Sequence, residues 1–327
     1  MLKIWLQSAA CVALASVAVA TAQTVKTQIN FPQPIAGVVV NPVTNLIYVV
    51  QPSFGGTRDT LTVVSGSTDQ VIKNIPVPVG AYLPAVNFIT NVVYVASCDT
   101  FSSSPSCFVT VVDGRTSRVL KNIPVTTNEG DGLLGIAVDY LANKIYVSNA
   151  TDGVIDIIDG ATWTLTGRLG VSGGEPIGLA VNPFNHRLYV PLGDSGVDIF
   201  DTRQRLLLST TAVGSADSFA SVNVVTGNVY VTDAVTGPST IAVLNSSGTL
   251  TTTVPVGDTP YGLDSDPLTN RVYVSSTALN TITVVDGKTN TATASVSNVP
   301  SAFVAVNLVT SKVYVSGGNL LTVLTEQ

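Results

Sequence analysis

The dipeptide Tyr-Val recurs at Tyr48, Tyr94, Tyr146, Tyr189, Tyr230, Tyr273 and Tyr314, at spacings of 46, 52, 43, 41, 43 and 41 residues. A period of that size marks a repeat array, in which each supersecondary unit buries its faces only against its neighbours. Upstream of each Tyr-Val lies an apolar stretch ending in an Asx residue: Asn41, Asn87, Asp139, Asn182, Asn223, Asp266 and Asn307. Downstream lies a second apolar stretch, closed by Asp-Gly at 113–114, 159–160 and 286–287 and by related pairs elsewhere.

Each unit reads as four strands. Strand A, such as 177–181, leads through an Asn-Pro turn to strand B, such as 187–190, then to strand C. Asp-Gly reads as a hairpin turn in which the glycine supplies the positive φ. Strand D follows at 71–75, 119–123 and their equivalents. Strand B, as in Leu46-Ile-Tyr-Val-Val50, is apolar without alternation, so both of its faces are buried. A single sandwich would leave one face of each strand wet. The chain is therefore expected to be all-β, a seven-bladed β-propeller of four-stranded blades. The seventh unit runs out after strand C at Leu324, while Thr24–Asn30 reads as a spare strand D. The N-terminal strand should join the last blade and close the ring, leaving no open edge there.

Residues 1–22 read as a signal peptide, with Lys3 before the apolar run 9–20 and small residues at 18–22; the propeller domain is then 23–327. The run is too short for a membrane span, so the expected product is exported, periplasmic or extracellular, with no span after cleavage. Cys98 and Cys107 are then the two remaining cysteines, and an exported chain should join them in a disulfide.

The segments Tyr146-Val-Ser-Asn149, Tyr230-Val-Thr-Asp233, Ala180-Val-Asn-Pro183 and Thr283-Val-Val-Asp286 resemble the repeat of bacterial YVTN, or YncE-like, propeller proteins, and the resemblance extends over 24–327. It implies an exported binding or scaffold protein sooner than an enzyme. The motif residues belong to blade cores and turns, so no catalytic residue carries over. Units two and five depart from it, since Phe88 and Val224 stand where the turn proline would.

The inventory for catalysis is thin. One histidine, His186, lies in an A–B turn, which excludes a multi-histidine metal centre and disfavours a nucleophilic triad. No catalytic residue is assigned. The seven Asx residues read as turn formers. Charge is distributed more tellingly. The loops of one face, joining D to A and B to C, carry ten acids between Asp59 and Asp258 against Arg58 alone, whereas the opposite face carries eight cations against seven aspartates. An acidic mouth repels nucleic acid and draws cations or a basic partner. The ligand-binding candidates nearest the axis are Glu129, Asp131, Glu175, Asp217 and Asp258. No cofactor is required, although oxygen ligands from several loops would suit Ca²⁺.

The expected function is that of a monomeric, non-enzymatic binding or scaffold propeller of the envelope or exterior, its partner an unknown envelope protein, a glycan or a cation. The alternative is a divalent-metal-dependent hydrolase or lactonase, its ion held by mouth carboxylates and activating water. Three or more acids converging on the axis would favour the second.

Overall fold

The computed structural model describes residues 23–53, 55–99, 106–125, 132–214, 217–235 and 238–326. The expected signal peptide lies outside them. Twenty-eight strands form seven antiparallel four-stranded sheets, each in the spatial order A, B, C, D. Each strand A contacts the next blade's strand A, and the seventh contacts the first, so the sheets surround one axis. This is a β-propeller. No helix among the described residues is long and apolar enough to cross a membrane.

The seventh sheet takes its strand D from Gln23–Asn30, which pairs antiparallel with strand C, Leu320–Glu326. Its register skips Lys26, as the other D strands skip Ile72, Leu120, Thr166, Leu208, Thr251 and Thr293. The same bulge in every outer strand adds the same local twist, and the borrowed strand follows suit. Across the seam, Asp69 of the first blade takes Lys26 at 2.5 Å and Lys312 at 2.8 Å. Burial pushes the Asp69 carboxyl up, but the two ammonium groups outweigh it and hold the carboxyl below its ordinary range.

The core is built from the B and C strands. The seven repeat tyrosines are at most 2% exposed, and the hydroxyls of Tyr48 and Tyr189 reach into the next blade. Tyr48 donates to the carbonyl of Gly114 at 3.4 Å, and Tyr189 to that of Ser246 at 2.9 Å. Burial pushes the hydroxyls of Tyr48, Tyr94, Tyr146 and Tyr273 up to about 12.

The A–B turns are Asx turns throughout. The side-chain oxygen of Asn41 accepts the N–H groups of Val43 and Thr44, and Asn87, Asp139, Asn223, Asp266 and Asn307 repeat the pattern; Asn182 accepts from Phe184. Units two, three, five and seven, with Phe88, Tyr140, Val224 and Leu308 after the Asx, form the turn without proline because the side-chain oxygen fixes it. Four residues after the Asx, the chain enters the left-handed region at Asn45, Asn91, Asn143, His186, Gly227, Asn270 and Ser311. At four interfaces the Asx amide also donates to this residue in the next blade, each at 2.8 Å: Asn41 to Asn91, Asn87 to Asn143, Asn223 to Asn270 and Asn307 to Asn45.

The Asp-Gly glycine has a different role from the one expected. Positive φ falls three residues later, at Asp69, Ser117, Trp163, Arg205 and Asn290. The glycine is needed for close approach. The N–H of Gly160 donates to the Asn143 carbonyl at 2.8 Å, and a Cβ on Gly160 would stand 2.3 Å from Asn143 Oδ1. Gly66, Gly114 and Gly287 face Asn45, Asn91 and Asn270 in the same way. Blade four has Thr202 in the glycine position, and there the facing residue is His186 in place of Asn. The two positions change together. Gly160→Thr should therefore cost about 1–3 kcal/mol through overpacking, and adding Asn143→His should recover part of the loss. Urea unfolding of the two single variants and the double variant measures this coupling; strictly additive penalties would refute it.

Candidate functional site

The axis is lined by strand A. Its residues two before each Asx are Val39, Ala85, Ala137, Ala180, Ser221, Asp264 and Ala305. Nearer the D–A face, adjacent A strands are tied by backbone bonds: Gly37 N–H to the Tyr82 carbonyl at 3.0 Å, Gly178 to Ser218 at 2.8 Å and Gly262 to Ala302 at 2.9 Å. A Cβ on Gly178 would lie 2.7 Å from Phe219 Cα, and one on Gly262 would lie 2.7 Å from Phe303 Cα. Small residues in one blade thus admit large aromatics from the next.

Those aromatics form a barrier across the channel. The hydroxyls of Tyr82 in blade two and Tyr261 in blade six are 2.6 Å apart. Phe303 meets Tyr82, Tyr261 and Phe219 edge-on at centroid distances of 5.5, 5.3 and 5.4 Å, and Phe219 meets Tyr261 at 4.9 Å. Such edge-to-face contacts add about 0.5–1.5 kcal/mol each beyond burial. On the D–A side lies a bowl of about 480 Å³, walled by Pro34, Ile35, Pro52, Leu133, Leu134 and Cys98 and floored by Tyr82, Tyr261 and Phe303. None of its described lining residues is charged. On the A–B side lies a cavity of about 340 Å³ lined by Val38, Val39, Val40, Leu179, Ala180, Ser221, Asp264 and Ala305 among others.

Cys98 and Cys107 face each other across strands B and C of blade two and are disulfide-bonded, as the sequence implied. The bond fixes one wall of the bowl.

Of the five sequence-derived candidates, only Glu175 and Asp258 have described side chains. Glu129 and Asp131 lie outside the described residues. Asp217 begins strand A of blade five, its backbone opposite Asp233. Glu175 is exposed in the loop before strand A of blade four. Asp258 ends strand D of blade five, half-buried, and accepts from the Thr259 hydroxyl at 2.9 Å. Neither Glu175 nor Asp258 is among the described residues that line the bowl. Among the described residues, no three of His, Cys, Asp or Glu come together in a way that could hold a metal ion.

Other acids of this face are turned inward. Asp59 is buried and accepts the Ser53 N–H at 2.7 Å, the Ser53 hydroxyl at 2.8 Å and the Ala81 N–H at 2.8 Å. Asp156, also buried, takes Arg168 at 2.7 Å, and Asp152 lies 3.6 Å from the same guanidinium. These carboxylates staple loops and blades, so the field of the face is weaker than its count of acids. The opposite face has a feature that the sequence reading passed over. Two residues after each Asx, the A–B turn presents Val43, Ile89, Leu141, Phe184, Val225, Leu268 and Val309, each 53–72% exposed, in an apolar ring around the channel exit.

No protein-family profile matches the chain, and no curated protein matches it. Among solved structures 1561 chains match, so the architecture alone does not discriminate between functions. One of them, described as Kuenenia stuttgartiensis hydrazine synthase, is 18% identical with a TM-score of 0.74, covering 91% of this chain and 97% of that one. The likeness shows the fold alone.

Asp264 is the one charged residue among the described lining of the A–B cavity. Burial is the main cause that pushes its carboxyl up to about 6, against the Val306 and Ser265 N–H groups and the Ser221 hydroxyl that favour the charged form. A carboxyl raised in the folded state binds its proton more tightly there than in the unfolded chain. Its contribution is therefore favourable below about pH 4 and is lost as pH rises to about 6, a change of about 3 kcal/mol. Asp159 behaves oppositely, since the Lys144 ammonium and the Thr162 and Ala161 N–H groups hold its carboxyl well below the usual range; its contribution is lost only as pH falls below about 4. Urea unfolding across pH 4–7 should show stability declining in the native chain and a flatter profile in Asp264→Ala. Parallel profiles would contradict the assignment.

Proposed function

We propose that this chain is an exported binding propeller of the YVTN type, whose D–A mouth takes a large apolar side chain from a partner protein with flanking basic residues. The observation that carries this reading is the bowl. A cleft of about 480 Å³, apolar in its walls and bearing two convergent hydroxyls at its floor, has the size and lining of a binding pocket. The channel is blocked beneath it, so a ligand would enter and leave by one side. Glu175, exposed in a loop of the surrounding face, and Asp258, at the end of a strand there, would favour positive charge at the rim. Export is supported by the N-terminal sequence and fits the disulfide.

A metal-dependent hydrolase is the weaker reading. Asp59 satisfies loop N–H groups, and Asp152 and Asp156 share Arg168, in place of converging on an ion.

Selection of displayed random heptapeptides on the immobilised protein should enrich an aromatic or long aliphatic residue next to Lys or Arg. Leu134→Arg, which places a charged chain in the bowl, should abolish capture. No enrichment, or enrichment indifferent to Leu134→Arg, would refute the proposal. A melting temperature raised by Ca²⁺ in proportion to dose, with no peptide captured, would instead favour the carboxylate-held ion.

A further inference from the structure

The A–B half of the channel holds a carboxylate that the fold does not need. Six blades build the same strand position with Val39, Ala85, Ala137, Ala180, Ser221 and Ala305; only the sixth places an acid there. Protein surrounds Asp264, yet the residue lines the cavity and is only partly buried. Its Oδ2 accepts the Val306 N–H at 2.8 Å, and its Oδ1 accepts the Ser265 N–H at 2.9 Å and the Ser221 hydroxyl at 3.3 Å. These donors fix its direction without cancelling its charge. Among the described residues no ion pair involves Asp264, and the charged neighbour that acts on it is Asp266, of the same sign. An ionised group left in an apolar enclosure without a counter-charge is costly, and such groups concentrate at functional sites.

We propose that this cavity binds a small organic cation, a primary alkylammonium whose nitrogen pairs with Asp264 and whose hydrocarbon lies against the valine and alanine walls. The chemistry of the lining selects this class. An anion would meet Asp264 with like charge. A divalent metal would want several oxygen ligands, and only one carboxylate lines the described cavity. An ammonium group has three donors, and the Asp264 carboxylate and the Ser221 hydroxyl offer it adjacent acceptors. The volume of about 340 Å³ is at the small end of ligand pockets. Val43, Leu268 and Val309 make the approach from solvent apolar, which suits an amine with an alkyl body. The site is independent of the bowl, from which the aromatic barrier separates it.

Isothermal titration of the full domain with n-hexylammonium chloride at pH 7.5 tests the proposal, with n-hexanol as the uncharged control. The native protein should bind the amine. Asp264→Ala, which installs the residue found in four sister blades, should weaken binding at least tenfold while leaving any hexanol affinity unchanged. Should that variant fail to fold, Asp264→Asn retains the side chain's shape without its charge and should give the same loss. Absence of amine binding up to about 10 mM, or equal affinity in native and neutral variants, would overturn the proposal. Leu134→Arg should leave amine affinity as it was, so the bowl and this site can fail separately.

Discussion

Every blade depends on a seat supplied by the next. The seat is one corner where two turns meet: the left-handed residue of an A–B turn gives its carbonyl to the C–D glycine, as Asn91 does to Gly114. Between blades one and two, the preceding blade places two groups into that corner, the Asn41 amide on Asn91 and the Tyr48 hydroxyl on Gly114; the hydroxyls of Tyr94, Tyr230 and Tyr314 are buried without a partner among the described residues. A glycine without a side chain, an asparagine in a backbone region most residues avoid and a buried phenol thus describe one contact. The strength of the repeat signal follows from the part that recurs, a glycine N–H bonded to the facing carbonyl with no room for a Cβ.

Where the repeat varies, it varies at this corner as a set. Between blades three and four the Asx is Asp139, which has no amide to donate, and one of its oxygens is buried without a partner. Across from it stand His186 and Thr202 instead of Asn and Gly. Tyr189, in the following interface, finds the Ser246 carbonyl in place of a glycine's. The corner tolerates substitution when the backbone carbonyl–amide link survives, since that link makes no demand on the side chains.

The architecture was legible because its determinants recur. Seven tyrosines, seven Asx residues and a missing final strand D led to the blade count and the closure. The Asp-Gly glycine was misread because a glycine can answer either a torsional need or a spatial one, and sequence does not say which. Counting acids by face overstated the field for a related reason: Asp59 stands at a strand end of the acidic face, but its carboxylate points into protein, and Asp152 lies against the Arg168 guanidinium. The aromatic barrier was hidden because Tyr82 and Tyr261 lie five residues before their Asx, whereas Phe219 and Phe303 lie four before. The alternation of Gly178 and Gly262 with Phe219 and Phe303 at that second position was the available clue. Asp264 is visible in the sequence too, as an acid at a position that the other blades fill with Ala, Val or Ser.

The borrowed strand gives the ring a mechanical direction. Six blades are continuous from strand A to strand D, but the seventh is clasped, and in that clasp Gln23 lies opposite Glu326 while Asn30 lies opposite Leu320. The two ends of the described chain therefore emerge side by side at one end of the pair. Tension between them loads the outermost hydrogen bonds first and peels the strands like a zipper, where the same bonds pulled lengthwise would share the load. A tether on both ends would open the ring at its seam under little force. A load carried between any two other blades would meet sheets whose four strands are one unbroken thread.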